Sequence, residues 1–489
     1  MNILNKFFLV LLLVEFDLIL LSQTITGDST YIKKAGDFFS DSTWKGAIIG
    51  FTAKDITNNK LLLDVNGFYK LNPASITKLI TTSASLHILG EKYSFKTEFG
   101  YTGYIKDSVL YGNIIIKGYG DPTLYSKRFK WYFKKVNPFD SVIFFLQKKG
   151  IKEIKGKVIG DETFFKTTLI PNYTWLISDI GNYFGAKPSA LTIYDNEYSL
   201  YFSTKDTSKT VNLIAIFPPE LHLKIINNLK AANISDDQSV IFSNLFDSTI
   251  LITGYLPVNA DSFEVRGSIN NPAQLAAISL KELIKKNNIL INDTVLTRNE
   301  YNFVFDSTET FSLIFTHYSP DLGQIISLTN LYSINIYAEN ILRLCGWKMY
   351  KNTDQEISCS AVKRFWKNNI GDFILFDGSG LSRLNAISTQ QFVDILDFMY
   401  NKSSYKKVFY ESLPIAGESG TLLKMFAKSK AKGKIRAKTG SMTNIRSLAG
   451  YIQPDKKTTI AFCIIINNCS LPVNVIKQKI EQIILQLFF

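Results

Sequence analysis

Three short segments carry residue types whose spacing suits acyl transfer. The first is Ser75-Ile-Thr-Lys78. Residues i and i+3 share one face of a helix, so Lys78 can reach the Ser75 hydroxyl and take its proton. A serine near a helix start also meets the positive end of the helix dipole, which favours developing negative charge. The lysine must be neutral to act as a base, so burial and neighbouring cations are expected to lower its pKa. The second segment is Ser333-Ile-Asn335. It offers a hydroxyl that can relay a proton to a leaving amine and an amide that can hold a substrate carbonyl. The third, Lys438-Thr-Gly440, occurs once. Lys438 and Thr439 suit a carboxylate, and Gly440 admits a substrate backbone at close range.

Each pattern is weak alone. Ser42/Lys45, Ser360/Lys363, Ser403/Lys406 and Ser404/Lys407 repeat the first, and Ser268-Ile-Asn270 repeats the second. A solvated helix or loop is the ordinary reading of any one of them. Ser75 differs because Pro73 places it at a helix start with an apolar run behind it. The joint order of the three segments is far more specific than any member.

The elements that must position these residues come from both ends of the chain. Ile48–Ala53 and Leu61–Val65 flank Thr57-Asn-Asn59 and read as a hairpin. Pro73 opens a helix that runs to Leu89, with Ile76, Leu79, Ile80 and Ala84 on a buried face. Near the far end, Ile435–Lys438, Ser447–Gln453 and Thr458–Ile466 read as strands, and Val473–Leu487 as a closing helix. One sheet built from both ends is expected. Cations occupy alternate positions at Lys428, Lys430, Lys432, Lys434, Arg436 and Lys438. In a strand this period points charge to one side. Gly433 breaks the run, so the strand is extended back only to Lys434, and Lys428–Lys432 read as a solvated face. The middle, from about residue 91 to 309, is rich in β-branched runs: Val109–Lys117, Val158–Asp161, Val211–Phe217 and Thr249–Gly254. One helix stands out there, Pro272–Lys286.

The 489 residues suggest about three domains. A hydrophobic fraction of 46% and a charged fraction of 20% support a packed core and exclude a disordered chain. The net charge of +13 favours anionic partners without identifying one. Three histidines and four cysteines argue against a histidine-rich metal enzyme or a disulfide scaffold. Whether Cys463 and Cys469 pair is left open. Lys6, the apolar Phe7–Val14 and the small-residue end at Ser22 read as a signal peptide over 1–22. Glu15 and Asp17 interrupt the run, and a membrane span needs about 20 apolar residues, so export without permanent anchoring is expected.

Ser-x-x-Lys, Ser-x-Asn and Lys-Thr-Gly together form the signature of penicillin-recognising serine enzymes. Further segments extend the likeness: Asn72–Lys78, Gly118–Leu124, Gly156–Asp161, Tyr183–Ala186, Ser189–Leu191, His317–Pro320, Tyr337–Glu339, Asp377–Arg383, Leu413–Gly417, Gly420–Leu422 and Arg436–Gly440. The chain resembles the class C low-molecular-mass penicillin-binding proteins, the serine-type D-alanyl-D-alanine carboxypeptidases/endopeptidases. The long gap between Ser75 and Ser333 fits this family better than class A β-lactamases, whose Glu-x-x-Leu-Asn signature is also absent between Asn335 and Lys438. Two departures are Ile334 where the family usually has Asp, and Tyr119 where it usually has Gly.

The resemblance implies an α/β (α+β) fold of the penicillin-binding-protein/β-lactamase-like transpeptidase type, with a central antiparallel sheet flanked by helices and a nested β-rich two-domain insertion. The catalytic domain would take residues 23–90 and 310–489. Inserted domain II would take 91–195 and 266–309, and inserted domain III 196–265. Ser75 would be the acylated nucleophile and Lys78 its base. Ser333 would relay a proton with Lys438, and Asn335 would orient the substrate. Lys438 and Thr439 would bind the terminal carboxylate beside Gly440. The N–H groups of Ser75 and Ser441 would form the oxyanion hole. No metal or cofactor is implied. The expected partners are peptidoglycan stem peptides, with β-lactams as covalent inhibitors and no nucleic acid. Peripheral membrane contact and oligomeric state are left open. The expected location is the periplasm or cell envelope. Alternatives are a non-catalytic wall-binding protein and a β-lactam hydrolase or esterase of the same fold. His317 reads as structural rather than as half of a Ser-His dyad. Asp377–Ser382 reads as a backbone turn near the site, with Ser379 and Ser382 structural.

Overall fold

Ile460–Asn467 reads IAFCIIIN and is buried along its whole length. A strand covered on both faces shows no polar alternation, and this one lies inside a six-stranded sheet. The computed structural model describes residues 25–166, 170–205, 211–292, 294–298 and 310–488. The expected signal peptide, 1–22, lies outside the described residues. The chain forms two compact units, the first made of Met1–Pro73, Ala386–Ser403 and Pro414–Phe489, the second of Ala74–Asn385 and Ser404–Leu413.

In the first unit the sheet order is Ile25–Gly27, Lys60–Val65, Ile48–Asp55, Ile460–Asn467, Ile445–Ile452 and Ile435–Met442. All pairs are antiparallel, and both ends of the chain contribute, as the patterning requires. Phe51, Ala53, Phe462 and Ile464 share a core with Tyr31, Ala35, Ile476 and Ile480 of the helices Ser29–Phe39 and Val473–Leu485. On the opposite face, Thr389–Asn401 packs through a Thr52–Thr389 hydroxyl pair at 2.8 Å and a Lys54–Asp397 ion pair at 2.8 Å. The strand Ile435–Met442 begins one residue after Lys434. Lys428, Lys430, Lys432 and Lys434 are exposed in the turns before it. Only Arg436 and Lys438 of the alternating cations lie on the strand.

The second unit holds the helices Thr77–Leu89, Leu322–Tyr332, Asn335–Tyr350 and Gln355–Ile370. It also holds the β-rich middle: a five-stranded sheet, a four-stranded sheet and two three-stranded sheets. The helix Pro272–Lys286 starts and stops as its sequence dictates. Asn271 caps it by accepting from the Gln274 N–H, proline takes the first turn, and Lys285 and Lys286 close the last. Among the described residues, no helix is long and apolar enough to cross a membrane.

Candidate active site

Ser75 lies in the short 3₁₀ turn Ala74–Ile76 that leads into Thr77–Leu89. From Leu71 to Leu86 every residue is buried except Ser75, which is partly open. Ala74 holds φ at 48°, a left-handed conformation that costs a non-glycine residue about 1–3 kcal/mol. Its carbonyl accepts from Thr77 Oγ1 at 2.8 Å. Gly380 passes directly against it: a Cβ there would stand 2.0 Å from the Ala74 oxygen, and Gly380 itself has φ +83°. The turn is therefore fixed from two sides while its hydroxyl stays accessible.

Lys78, one helical turn on, is fully buried. Its Nζ lies 3.1 Å from Ser75 Oγ, 2.6 Å from Asn335 Oδ1 and 2.6 Å from the Ser379 carbonyl oxygen. As an ammonium it can donate to all three. As a neutral amine it can donate two N–H bonds to the amide and the carbonyl, which aims its lone pair at the serine hydroxyl. Burial brings its pKa down to about 7, outweighing the buried carboxylates of Asp377 and Glu339, which pull it upward. Burial is thus the main cause of the shift.

Those carboxylates shape the loop that supplies the Ser379 carbonyl. Asp377 accepts from the backbone of Gly380 and Ser382, from Asn385 Nδ2 and from Trp175 Nε1. Glu339 Oε1 accepts from the Gly378 and Ser379 N–H groups at 3.0 and 2.7 Å. Burial and the neighbouring Asp377 raise the Glu339 pKa to about 7. Glu339, Asp377 and the Ser379 backbone are parts of the site to which the sequence reading gave no catalytic part. Their signal was the Tyr337–Glu339 and Asp377–Arg383 segments.

Ser333 ends the helix Leu322–Tyr332 in a left-handed conformation, φ 60° and ψ 41°, and Asn335 opens the next helix. Ile334, at the position where Asp is usual, is buried and caps no backbone group. The β-rich middle pins this second helix at three successive points. Asn335 Nδ2 donates to the Phe184 carbonyl at 2.7 Å. The Tyr337 hydroxyl donates to Asp195 Oδ1 at 2.6 Å. Asn340 Nδ2 donates to the Gly120 and Ser189 carbonyls. The segments Tyr183–Ala186, Ser189–Leu191 and Gly118–Leu124 thus have a shared physical task, to fix the helix that carries Asn335.

In the first unit, Lys438, Thr439, Gly440 and Ser441 lie on the edge strand of the sheet. Lys438 is fully buried, and its Nζ donates to the Thr439 carbonyl at 2.7 Å. Thr439 Oγ1 lies 2.9 Å from Thr421 Oγ1. The Ile435 carbonyl accepts from the Ala416 N–H, and the Ala437 N–H donates to the Pro414 carbonyl. Odd-numbered residues therefore turn their backbone groups to the outer edge. The period of two gives Thr439 and Ser441 the same orientation. Asn467 and Ser447 of this sheet hold the Asn72-Pro73 backbone that precedes the serine turn.

The repeated patterns sit in other surroundings. Ser360 Oγ donates back to the Glu356 carbonyl of its own helix at 2.8 Å. Ser268 Oγ donates to the Ile180 carbonyl, and Asn270 Nδ2 to that of Asn244. His317 is buried against Asp121, Tyr132 and Phe133. Burial lowers its pKa to about 4, so it is neutral at physiological pH, in keeping with a structural histidine. All four cysteines are free and buried, which resolves the Cys463–Cys469 question against a disulfide.

The chain is 27% identical over 455 residues to a D-alanyl-D-alanine carboxypeptidase of an Actinomadura species, covering 88% of this chain and 80% of the relative. It is 27% identical over 449 residues to the D-alanyl-D-alanine carboxypeptidase DacB of Haemophilus influenzae, covering 88% of each. The crystal structure of penicillin-binding protein 4 (dacB) from Haemophilus influenzae shares the fold, with a TM-score of 0.74 and 24% identity over 91% of this chain and 97% of that one. A second structure of that protein, in complex with a β-lactam, gives a TM-score of 0.70. The model of the D-Ala-D-Ala carboxypeptidase 3 (S13) family matches residues 34–486. The chain belongs to that family, and it is a serine-type D-Ala-D-Ala carboxypeptidase.

Proposed function

We propose that this carboxypeptidase works through an acyl-enzyme at Ser75 and acts on peptidoglycan stem peptides as both carboxypeptidase and D,D-endopeptidase. The observation that carries the reading is the buried Lys78 amine, held 3.1 Å from Ser75 Oγ by two fixed acceptors. Neutral Lys78 takes the Ser75 proton as Oγ attacks the carbonyl of the penultimate D-Ala. The N–H groups of Ser75 and Ser441 receive the oxyanion, a contribution worth about 10²–10³ in rate per donor. The C–N bond then breaks, and Ser333, working with Lys438, returns a proton to the leaving amine. Asn335 orients the peptide, and Lys438 and Thr439 hold its terminal carboxylate beside Gly440. Water attacks the ester and frees Ser75. Carboxypeptidase and endopeptidase action share the acylation step and differ in the amine released.

The amide of a β-lactam enters the same chemistry, but its leaving amine stays tethered and blocks water. Support comes from the β-lactam complex of the Haemophilus protein. The apolar N-terminal run supports export to the periplasm or cell envelope. Mass spectrometry of the chain after incubation with benzylpenicillin tests the central claim. One adduct on the Ser75 peptide, lost in Ser75→Ala, is expected; an adduct that survives Ser75→Ala overturns it. The same method on cross-linked and uncross-linked muropeptides reads the two activities separately, by cleaved cross-links and released D-Ala.

A further inference from the structure

Tyr194, Asp195 and Asn196 hold φ at 52°, 60° and 52°. Among the described residues this is the one run of three consecutive positions in the left-handed region, and none of them is glycine. L-residues resist this conformation. Strain of this kind persists only where the surrounding structure holds it, and it gathers at functional sites. What the turn achieves is the placement of one carboxylate. Asp195 is 2% exposed, and Tyr337 Oη donates to its Oδ1 at 2.6 Å. Its Oδ2 accepts from Ser126 Oγ at 2.9 Å and from Arg128 Nη1. Tyr337 is fully buried and stands two residues after Asn335, in the first turn of the helix that Asn335 opens.

The network continues through charged groups and returns to the same helix. Arg128 Nη2 reaches Glu197 Oε1 at 3.5 Å, and Arg266 Nη1 donates to Glu197 Oε2 at 3.1 Å. The Arg266 guanidinium lies 3.8 Å from the centroid of the Tyr183 ring. Phe184 follows, and its carbonyl accepts from Asn335 Nδ2. Both ends of this series of contacts grip one helical turn, and Asn335 Oδ1 on that turn accepts from Lys78 Nζ. A carboxylate is a strong acceptor, and a buried network of paired groups makes rigid what it touches. We propose that Asp195 and Tyr337 are positioning residues for the peptidase reaction: their hydrogen bond fixes the Asn335 turn and, through Asn335, holds Lys78 against Ser75. The inference rests on the roles proposed above for Asn335 and Lys78.

Release of D-Ala from diacetyl-L-Lys-D-Ala-D-Ala by the full chain tests it. Displacing a catalytic group by about 1 Å can cost about 10²-fold. Tyr337→Phe leaves the other grips on the helix in place, so a smaller loss is expected, about tenfold in kcat with KM within about twofold. Asp195→Ala should match it. Asp195→Asn keeps an oxygen that accepts from the tyrosine and should recover most of the rate. The double variant Asp195→Ala/Tyr337→Phe should lose no more than either single one, because both remove the same bond. Circular dichroism melting confirms that each variant is folded; if Asp195→Ala is not, Tyr337→Phe decides alone. Equal losses in folded Asp195→Asn and Asp195→Ala would assign the effect to the Arg128 ion pair and overturn the proposal. Asn335→Ala, run beside them, separates the two readings. If it loses kcat while Tyr337→Phe keeps the parent rate, this inference alone fails. If Asn335→Ala itself keeps the parent rate, the role proposed for Asn335 fails and carries this inference with it.

Discussion

Ser75/Lys78 and Ser360/Lys363 both place a serine three residues before a lysine in the second unit, and the surroundings of the two pairs differ. At Ser75/Lys78 the serine stands in a turn before the helix, and the lysine is fully buried among fixed acceptors. At Ser360/Lys363 the serine hydroxyl is spent on its own helix, bonded to the Glu356 carbonyl, and the lysine is only half-buried. Spacing places two groups on one face. It does not decide whether the hydroxyl is available or whether the amine can lose its proton. Those properties come from the turn at Ala74 and from what surrounds Nζ.

The largest consequence concerns the lysines. Lys78→Met keeps the side-chain volume and removes the base. The penicillin acylation rate is expected to fall by about 10²–10⁴, the usual weight of a positioned general base. Lys363→Met is expected to leave the rate within about twofold. Stopped-flow acylation compares the two, and equal losses would mean that burial is not what separates them. The second pattern gives a smaller contrast. Asn335 holds both Lys78 and the Phe184 carbonyl, whereas Asn270 holds only a loop carbonyl. A hydrogen bond to a charged group is worth about 1.5–3 kcal/mol. Asn335→Ala should therefore lose roughly 10- to 100-fold in acylation rate, and Asn270→Ala almost nothing, in the same assay.

How far the sequence led can be judged from particular residues. Pro272–Lys286 was legible because its cap, first-turn proline and basic last turn are local signals. Strands from both ends of the chain, Leu61–Val65 and Thr458–Ile466 among them, were legible from their apolar residues, whereas the edge strand Ile25–Gly27 was not read. Val109–Lys117 was read only as a β-branched run, and it divides between two sheets at Gly112, where a Cβ would lie 1.8 Å from the Thr102 oxygen. A close approach of that kind depends on backbone outside the run itself. Gly433 marked where the alternating cations leave the strand: it begins at Ile435, one residue past the expected Lys434, and Lys428–Lys432 lie in exposed turns. Ser75, Lys78, Ser333 and Asn335 stood out by type and order. The Ser379 carbonyl could not, since every residue has a carbonyl, and the depth that shifts the Lys78 pKa is a property of packing alone.

The pH dependence sharpens the contrast further. In the proposed mechanism Lys78 works as its neutral form, and its pKa is about 7, so the acylation rate should rise with pH through about 7 and then level. Ionised Glu339 stabilises the Lys78 ammonium and holds that pKa up. Glu339→Gln removes the charge, so the rising limb should move to lower pH, by less than about one unit. A profile of acylation rate against pH for both proteins measures the shift. A limb that moves to higher pH, or stays in place, would show that Glu339 acts only as a brace for the Gly378–Ser379 backbone.

The smallest effect separates the two serines by stability rather than rate. Ser360 bonds back to a carbonyl of its own helix, an arrangement that weakens helices slightly, and alanine is the better helix former. Ser360→Ala should raise unfolding stability by up to about 0.5 kcal/mol and leave acylation unchanged. Ser75→Ala should abolish acylation, but its serine lies outside the regular helix, so no comparable gain from helix propensity is expected there. Urea unfolding of both variants beside the parent resolves the difference. A slower acylation in Ser360→Ala would break the comparison at its root, because it would mean that a hydroxyl already committed to its own helix still reaches the chemistry.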